Sequence, residues 1–348
     1  MDSLDLHTCA EFDRWIDDAG TITLTAHTFP DGDALGSTVA LCSYLRDCRG
    51  KNAAVILPNP YSDDIAFIAE DAPVLSYSQS REEADRHIGR SDLIICMDCN
   101  AFNRTEGLQD ILSAAKVRKV LIDHHLGPDR DAFGLVFSTP DISSTCEHLF
   151  WILLRMHDMA GDAARLPEKA RTALLAGMTT DTNNFANSVF PSTFEMASAL
   201  LAAGTDREAV LSKLYNSYRE NRIRLIGYLL GEKLRITEHG AAVMILNAEE
   251  YRRFQLREGE SEGIVNMPLA IRRVRLCIFL KEYAQDGNFH ISIRSKRGTS
   301  AASFAREYFH GGGHELAAGG RLYYPQDIAA PEDAEAYVLS CLDRFLQA

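Results

Sequence analysis

Four short runs dominated by apolar residues, 22–26, 53–57, 93–97 and 117–122, constrain the first third of this chain more than any other feature. Helix-like stretches such as 36–47 and 80–88 lie between them, and Leu6, Cys9, Phe12 and Ile16 recur at helical spacing ahead of the first. Apolar runs this short suit strands buried on both faces of a parallel sheet. Strands alternating with helices predict a doubly wound α/β domain. In such a sheet the ligand crevice lies beyond the carboxyl ends of the strands, so the polar residues that follow each run matter most.

The first run is followed by His27-Thr-Phe-Pro-Asp31-Gly-Asp33, the third by Asp98 and the fourth by Asp123-His124-His125. A helical stretch ending near Ala176 leads into Gly177-Met-Thr-Thr-Asp181. The fold rule gathers these aspartates and histidines on one rim. Asp31, Asp33, Asp98 and Asp181 would repel one another without cations, and two divalent ions would balance them. Mixed imidazole and carboxylate donors suit manganese, iron or zinc better than calcium, and the lack of thiolate donors disfavours a structural zinc. Gly32 allows the tight turn that lets Asp31 and Asp33 address neighbouring ions. Two ions about 3.5 to 4 Å apart clamp in-line displacement at phosphorus, acidifying a bridging water and neutralising the leaving oxygen. Singly, each segment has a plain explanation: Pro30-Asp31-Gly32 is a turn, Asp181 a helix cap, the histidine pair a surface feature. Four of them in order, each after a buried element, point to chemistry.

The second half changes character. Residues 195–203 and 207–230 read as helices. Strand-like runs follow at 241–246, 276–281 and 289–294, then a helix at 299–308, the loop Gly311-Gly312-Gly313-His314, a run to Tyr324 and a last helix at 331–346. The expected organisation is a domain over 1–190, a helical linker over 191–232 and a second domain over 233–348. The 348 residues carry a net charge of −13, with 46% hydrophobic and 24% charged, the composition of an ordinary globular protein. Broad binding of duplex DNA is disfavoured by that charge. Yet residues 271–306 hold eight basic residues against Glu282 and Asp286, a local +6 suited to a short polyanion. No apolar stretch nears the ~20 residues of a membrane span, and the acidic start lacks a signal-peptide pattern, so a cytoplasmic location is expected. The eight cysteines then read as reduced thiols. Cys96 and Cys99 have CxxC spacing, but no second pair completes a zinc site, and a structural role is expected for them.

Taken together, the motifs resemble the DHH phosphoesterase family. His27-Thr-Phe-Pro-Asp-Gly-Asp-Ala-Leu-Gly-Ser37, Asp98, Asp123-His124-His125 and Gly177-Met-Thr-Thr-Asp-Thr182 are similar to its four motifs. Gly311-Gly312-Gly313-His314, with Ile293-Arg294-Ser295 before it, resembles the associated DHHA1 domain. The likeness runs from about residue 20 to 325 and is greatest to the oligoribonuclease (nanoRNase)/pAp-phosphatase branch. It implies an α/β fold in which a doubly wound, mostly parallel DHH domain is joined by helices to a smaller α/β DHHA1 domain. It also implies two Mn2+ ions, with Mg2+, Fe2+ or Co2+ as substitutes. By motif position His27, Asp31 and Asp98 hold one ion; Asp33, Asp98, His124 and Asp181 hold the other, with Asp98 bridging. The implied catalytic residues are Asp98, His125 facing the substrate phosphate or leaving oxygen, and Asp123 fixing the histidine tautomers. Arg294, Ser295 and His314 contact the nucleotide, and Gly311, Gly312 and Gly313 let backbone amides approach a phosphate.

The activity implied is hydrolysis of short RNA or DNA oligonucleotides, linear dinucleotides or pAp to 5′-mononucleotides by two-metal, in-line attack of water. A single-strand exonuclease or cyclic-dinucleotide phosphodiesterase is the alternative within the family, and a non-catalytic nucleotide-sensing protein the alternative outside catalysis. The expected partners are such nucleotides, not a membrane or long duplex DNA, and a homodimer is compatible. Two departures stand out: Phe29 occupies a position that is usually Asn in the family, and Asn183-Asn184 follow the fourth motif where Gly is frequent.

Overall fold

The apolar runs form strands of one sheet in a computed structural model, which describes residues 5–257 and 259–347. The chain divides into two compact units, Met1–Ser217 and Tyr218–Ala348. In the first, the order is α1 (Leu6–Asp18), β1 (Thr21–Thr25), α2 (Gly32–Asp47), β2 (Asn52–Leu57), β3 (Val74–Ser76), α3 (Arg81–Ile88), β4 (Leu93–Met97), α4 (Gln109–Ala114), β5 (Arg118–Asp123), β6 (Leu135–Ser138), α5 (Thr145–Leu153), α6 (Glu168–Asp181), α7 (Pro191–Ala202) and α8 (Arg207–Tyr215). The six strands lie in the order β3-β2-β1-β4-β5-β6, and every pairing is parallel.

Alternation along the strands feeds two cores. Ile22, Leu24, Ile95 and Val120 pack beneath α1, α2, α5 and α6. Ile56, Ile94, Cys96 and Leu121 turn to the other face, with Ala84 and Ile88 of α3 and Leu112 of α4. Burial on both faces is why these strands read as continuous apolar runs rather than as an alternating pattern. The chain order reverses between β1 and β4, and that switch point is where a doubly wound sheet opens its ligand crevice.

Several expectations change in detail. The edge strands β3 and β6 escape the apolar-run criterion because they are short and only partly buried. Helix α2 starts at Gly32, four residues earlier than its apolar pattern, because Asp31 caps it. Helix α6 runs on to Asp181, so the Gly177–Asp181 motif is its closing turn rather than a loop. The expected helix over 207–230 is broken between Tyr215 and Glu220. The helices of 191–232 are shared out: Met196, Leu200, Val210 and Leu214 join the first unit's core, whereas Leu225 and Leu229 join a core of the second.

The second unit contains α9 (Glu220–Tyr228), β7 (Arg235–Ile236), β8 (Ala241–Leu246), α10 (Ala248–Arg253), β9 (Leu276–Tyr283), β10 (Asn288–Ser295), α11 (Ala301–Tyr308), β11 (Gly312–Gly313), β12 (Ala317–Tyr323) and α12 (Ala334–Gln347). Its sheet runs β11-β12-β10-β9-β8-β7. Only β8 and β9 pair in parallel, and α10 lies between them in the chain. Phe304 and Phe309, with Val338 and Leu342 of α12, cover one face. Leu225, Leu229, Ile264 and Val265 cover part of the other. No helix among the described residues is long and apolar enough to cross a membrane.

Candidate functional site

The carboxyl ends of β1, β4 and β5 and the last turn of α6 each deliver part of one cluster. His27 follows β1 by two residues and is buried. Asp31 caps α2, one carboxylate oxygen accepting from the Asp33 and Ala34 N–H groups at 3.0 Å each. Its other oxygen lies 3.9 Å from His27 Nε2. The cap and the candidate ligand are therefore the same side chain. Asp33, in the first turn of α2, is held more firmly: its two oxygens accept from the Thr145 N–H at 2.7 Å and the Cys146 N–H at 2.8 Å. Those are the first amides of α5, where orphan donors and the helix dipole favour an anion.

Glycines let α2 and α6 meet closely enough to set Asp33 beside Asp181. A Cβ at Gly36 would stand 2.7 Å from the Ala173 carbonyl oxygen, and one at Gly177 would stand 2.9 Å from that of Gly32 and press on Cys146 Sγ. Asp181 Oδ2 and Asp33 Oδ2 are then 3.7 and 4.0 Å from His124 Nε2.

Asp98 is the centre of the cluster. Its Oδ2 lies 3.4 Å from His27 Nε2, and its Oδ1 lies 3.4 Å from His124 Nε2. The Thr145 hydroxyl donates to Oδ1 at 3.1 Å. The backbone is left-handed there (φ 51°), a conformation aspartate tolerates better than most side chains, while the Asp98 N–H donates to the Ile122 carbonyl at 3.0 Å. Asp123, fully buried at the end of β5, accepts from His125 Nδ1 at 2.7 Å and from the His125 N–H at 3.1 Å. Its carbonyl oxygen lies 3.3 Å from Nδ1 of buried His148.

The electrostatics show a shortage of positive charge. Burial and then the Asp98 charge push Asp33 up to about 7. Burial and then Asp33 push Asp181 well above the usual carboxylate range. Burial also opposes charge on the histidines, but Asp98 and Asp31 carry His27 up to about 10, and Asp98 with Asp181 and Asp33 does the same for His124. Asp98 resists burial because the His124 and His27 imidazoles hold its carboxyl well below the ordinary range. The cluster thus draws in protons to balance its carboxylates, and divalent cations could take their place.

Donor atoms group accordingly. His27, Asp31 and Asp98 offer three within 4.8 Å of one another, as do Asp33, His124 and Asp181. Asp98, His124 and His125 form a third such group, although His125 Nδ1 is nearer Asp123 (2.7 Å) than Asp98 (3.6 Å). Sets of this kind suit divalent metal ions. A separate trio, Asp13, Asp17 and His157, already surrounds a cation: the Arg49 guanidinium donates to both aspartates. Cys96 and Cys99 are buried free thiols and belong to no such group among the described residues.

In the second unit, Arg294 and Ser295 end β10. The Ser295 N–H donates to the Leu316 carbonyl at 3.0 Å, and Arg294 pairs in register with Ala317. His314 and Ala317 close a tight turn through the His314 N–H to the Ala317 carbonyl at 2.7 Å. Arg294, Ser295 and His314 are thereby gathered at one end of β10. The glycines have a structural use as well. A Cβ at Gly311 would strike the Gly319 backbone, and one at Gly313 would lie 2.6 Å from the Ala317 carbonyl oxygen. Gly312 pairs with Gly319 along the same strand edge.

Sequence reasoning passed over Thr145, Cys146 and His148. The available signal was Ser143-Ser144-Thr145 ahead of an apolar helix, a cap pattern whose amides invite an anion.

Residues 21–178 match the N-terminal domain of the DHH family, and residues 240–344 match the DHHA1 domain. Among curated proteins, the probable bifunctional oligoribonuclease and PAP phosphatase NrnA of Streptococcus mutans is 30% identical over 318 residues, covering 90% of this chain and 92% of that protein. The bifunctional oligoribonuclease and PAP phosphatase NrnA of Bacillus subtilis is 28% identical over 308 residues, covering 87% and 90%. Among solved structures, an exopolyphosphatase-related protein from Bacteroides fragilis superposes with a TM-score of 0.91 at 33% identity, covering 100% of this chain and 98% of that one.

Proposed function

The chain belongs to the DHH family and carries a DHHA1 domain, and from that premise we propose a manganese-dependent phosphoesterase that hydrolyses short oligonucleotides, linear dinucleotides and pAp to 5′-mononucleotides. The observation that carries this reading is the aspartate–histidine cluster at the switch point of the parallel sheet. In this reading His27, Asp31 and Asp98 hold one cation, and Asp33, Asp98, His124 and Asp181 hold a second. Manganese suits donors that mix imidazole and carboxylate. The cations supply charge neutralisation for the phosphate and lower the pKa of water.

The remaining work falls to the chain's own side chains. Asp123 accepts the His125 Nδ1 hydrogen bond at 2.7 Å. That contact sets the ring's orientation toward the leaving oxygen. The α5 amides keep Asp33 in a single carboxylate orientation. Arg294, Ser295 and His314 bind the nucleotide, with Gly311, Gly312 and Gly313 giving a phosphate access to backbone amides. The names of the Bacillus and Streptococcus relatives support this substrate class.

The test incubates the purified protein and Mn2+ with pAp, linear dinucleotides, cyclic dinucleotides and RNAs of graded length, resolving products by size. Mononucleotides are expected from the short linear substrates and from pAp. If dinucleotides and pAp survive intact, this reading is wrong.

A further inference from the structure

The rim that carries the aspartates and histidines is not wholly polar. Phe29 lies midway between His27 and Asp31 and is 58% exposed, and Leu126, the residue after His125, is 70% exposed. Single exposed hydrophobic residues are ordinary, but the Phe29 backbone is not. Its φ is 52°, in the left-handed region, where a bulky side chain is a genuine outlier. The conformation is fastened on both sides. The Thr28 N–H donates to the Arg104 carbonyl at 2.9 Å, the Phe29 N–H donates to the Asn59 side-chain oxygen at 3.2 Å, and Pro30 follows. Glycine or asparagine would adopt this turn more easily. Among the described residues the Phe29 ring stacks on no other aromatic ring, so the fold gains little from it there.

We propose that Phe29 is a stacking platform for the nucleobase of the substrate whose phosphate the aspartate–histidine cluster receives, which rests on the phosphoesterase reading above. Two residues of chain span at most about 7 Å, so the ring is anchored within a nucleotide's length of His27 and Asp31. Every base offers an aromatic face, so stacking adds affinity with little base preference. Leu126 offers a second apolar surface on the same rim. A rim of this kind favours nucleotides over inorganic or sugar phosphates, which present charge but no ring.

The test uses the full chain with Mn2+ and two variants. Phe29→Asn removes the ring while suiting the left-handed backbone, and Phe29→Trp enlarges it. The measured quantity is kcat/KM for pAp divided by kcat/KM for ribose 3′,5′-bisphosphate, which lacks the base. We expect this ratio to fall about tenfold in Phe29→Asn and to hold or rise in Phe29→Trp. An unchanged ratio in Phe29→Asn overturns the proposal. A binding arm separates it from the reaction itself: AMP is expected to quench the added tryptophan's fluorescence in Phe29→Trp, measured against the wild-type background, and ribose 5-phosphate is not. Should the wild type hydrolyse neither the bisphosphates nor linear dinucleotides, the phosphoesterase reading fails while this arm still decides the stacking. Absence of quenching by AMP overturns the proposal even in an active enzyme.

Discussion

Asp98 combines an unusual backbone with a central place in the aspartate–histidine cluster. Its left-handed backbone (φ 51°) turns the carboxylate back between His27 and His124, 3.4 Å from each. Alanine would lose the ligand and fit the turn poorly, so Asp98→Asn is the cleaner probe, since asparagine accepts the same φ. Both variants are expected to lower kcat/KM by about a thousandfold or more, as loss of a shared metal ligand removes several kcal/mol of charge stabilisation. Near-normal rates for Asp98→Asn in the hydrolysis assay would overturn the ligand assignment. The members of the cluster were legible because each follows a recognisable buried run or helix. The Asp33 cradle was not, because its donors lie 112 and 113 residues further along, a separation that no local pattern spans.

Asp13 offers a stability test away from the site. Burial works against its charge, but the His157 N–H and Arg49 outweigh it and hold its carboxyl below the ordinary value. The Arg49 guanidinium is nearly buried and donates to Asp13 at 2.7 Å. Asp13→Asn leaves part of that cation uncompensated and is expected to cost about 3 kcal/mol at neutral pH. A depressed folded-state pKa stabilises above the unfolded value near 3.9, and that contribution is lost as pH falls through the folded value. The gap between wild type and variant in urea unfolding should therefore be full at pH 7 and shrink below about pH 4.

At the scale of elements, the site depends on how closely two helices cross. Gly36 and Gly177 face each other across α2 and α6, with the Gly177 Cα 3.1 Å from where a Gly36 Cβ would stand. The same contact places Asp33 and Asp181 around His124. Gly177→Ala adds a methyl against Cys146 Sγ and the Gly32 carbonyl. Overpacking of this kind costs about 1 to 3 kcal/mol. The expected outcome is a matching loss of stability in urea together with weaker Mn2+ binding by calorimetry. Lost stability with unaltered metal affinity would show that the ligands do not rely on this crossing. The Gly177–Asp181 motif was visible in the sequence, but its place in a helix was not, because Gly and paired threonines weaken the helical signal while packing against α2 sustains it. The strands β3 and β6 were missed for the opposite reason: with so few residues they pair at the sheet edges without an apolar run to announce them.

At the scale of the whole molecule, charge sets which polyanions the chain can hold. The total of −13 conceals the eight basic residues of 271–306, yet the fold spends several of them locally. Arg275 donates to the His239 and Leu346 carbonyls, Lys296 to the Ile271 carbonyl, and Lys281 lies buried over the Tyr251 and Tyr283 rings. With Arg275, Lys296 and Lys281 engaged in this way, a substrate with only one or two phosphates in contact is the expectation. Each neutralised phosphate of a single strand contributes about −0.7 to the slope of log affinity against log salt. The slope of log kcat/KM for a dinucleotide should therefore be no steeper than about −1.5. Arg294→Ala should raise KM with kcat little changed and flatten that slope by about 0.7. Steady-state kinetics across a salt series checks both. Measured with a ten-nucleotide RNA, a wild-type slope near −4 would instead require several phosphates along an extended strand, and the short-substrate reading would give way to that of a single-strand exonuclease.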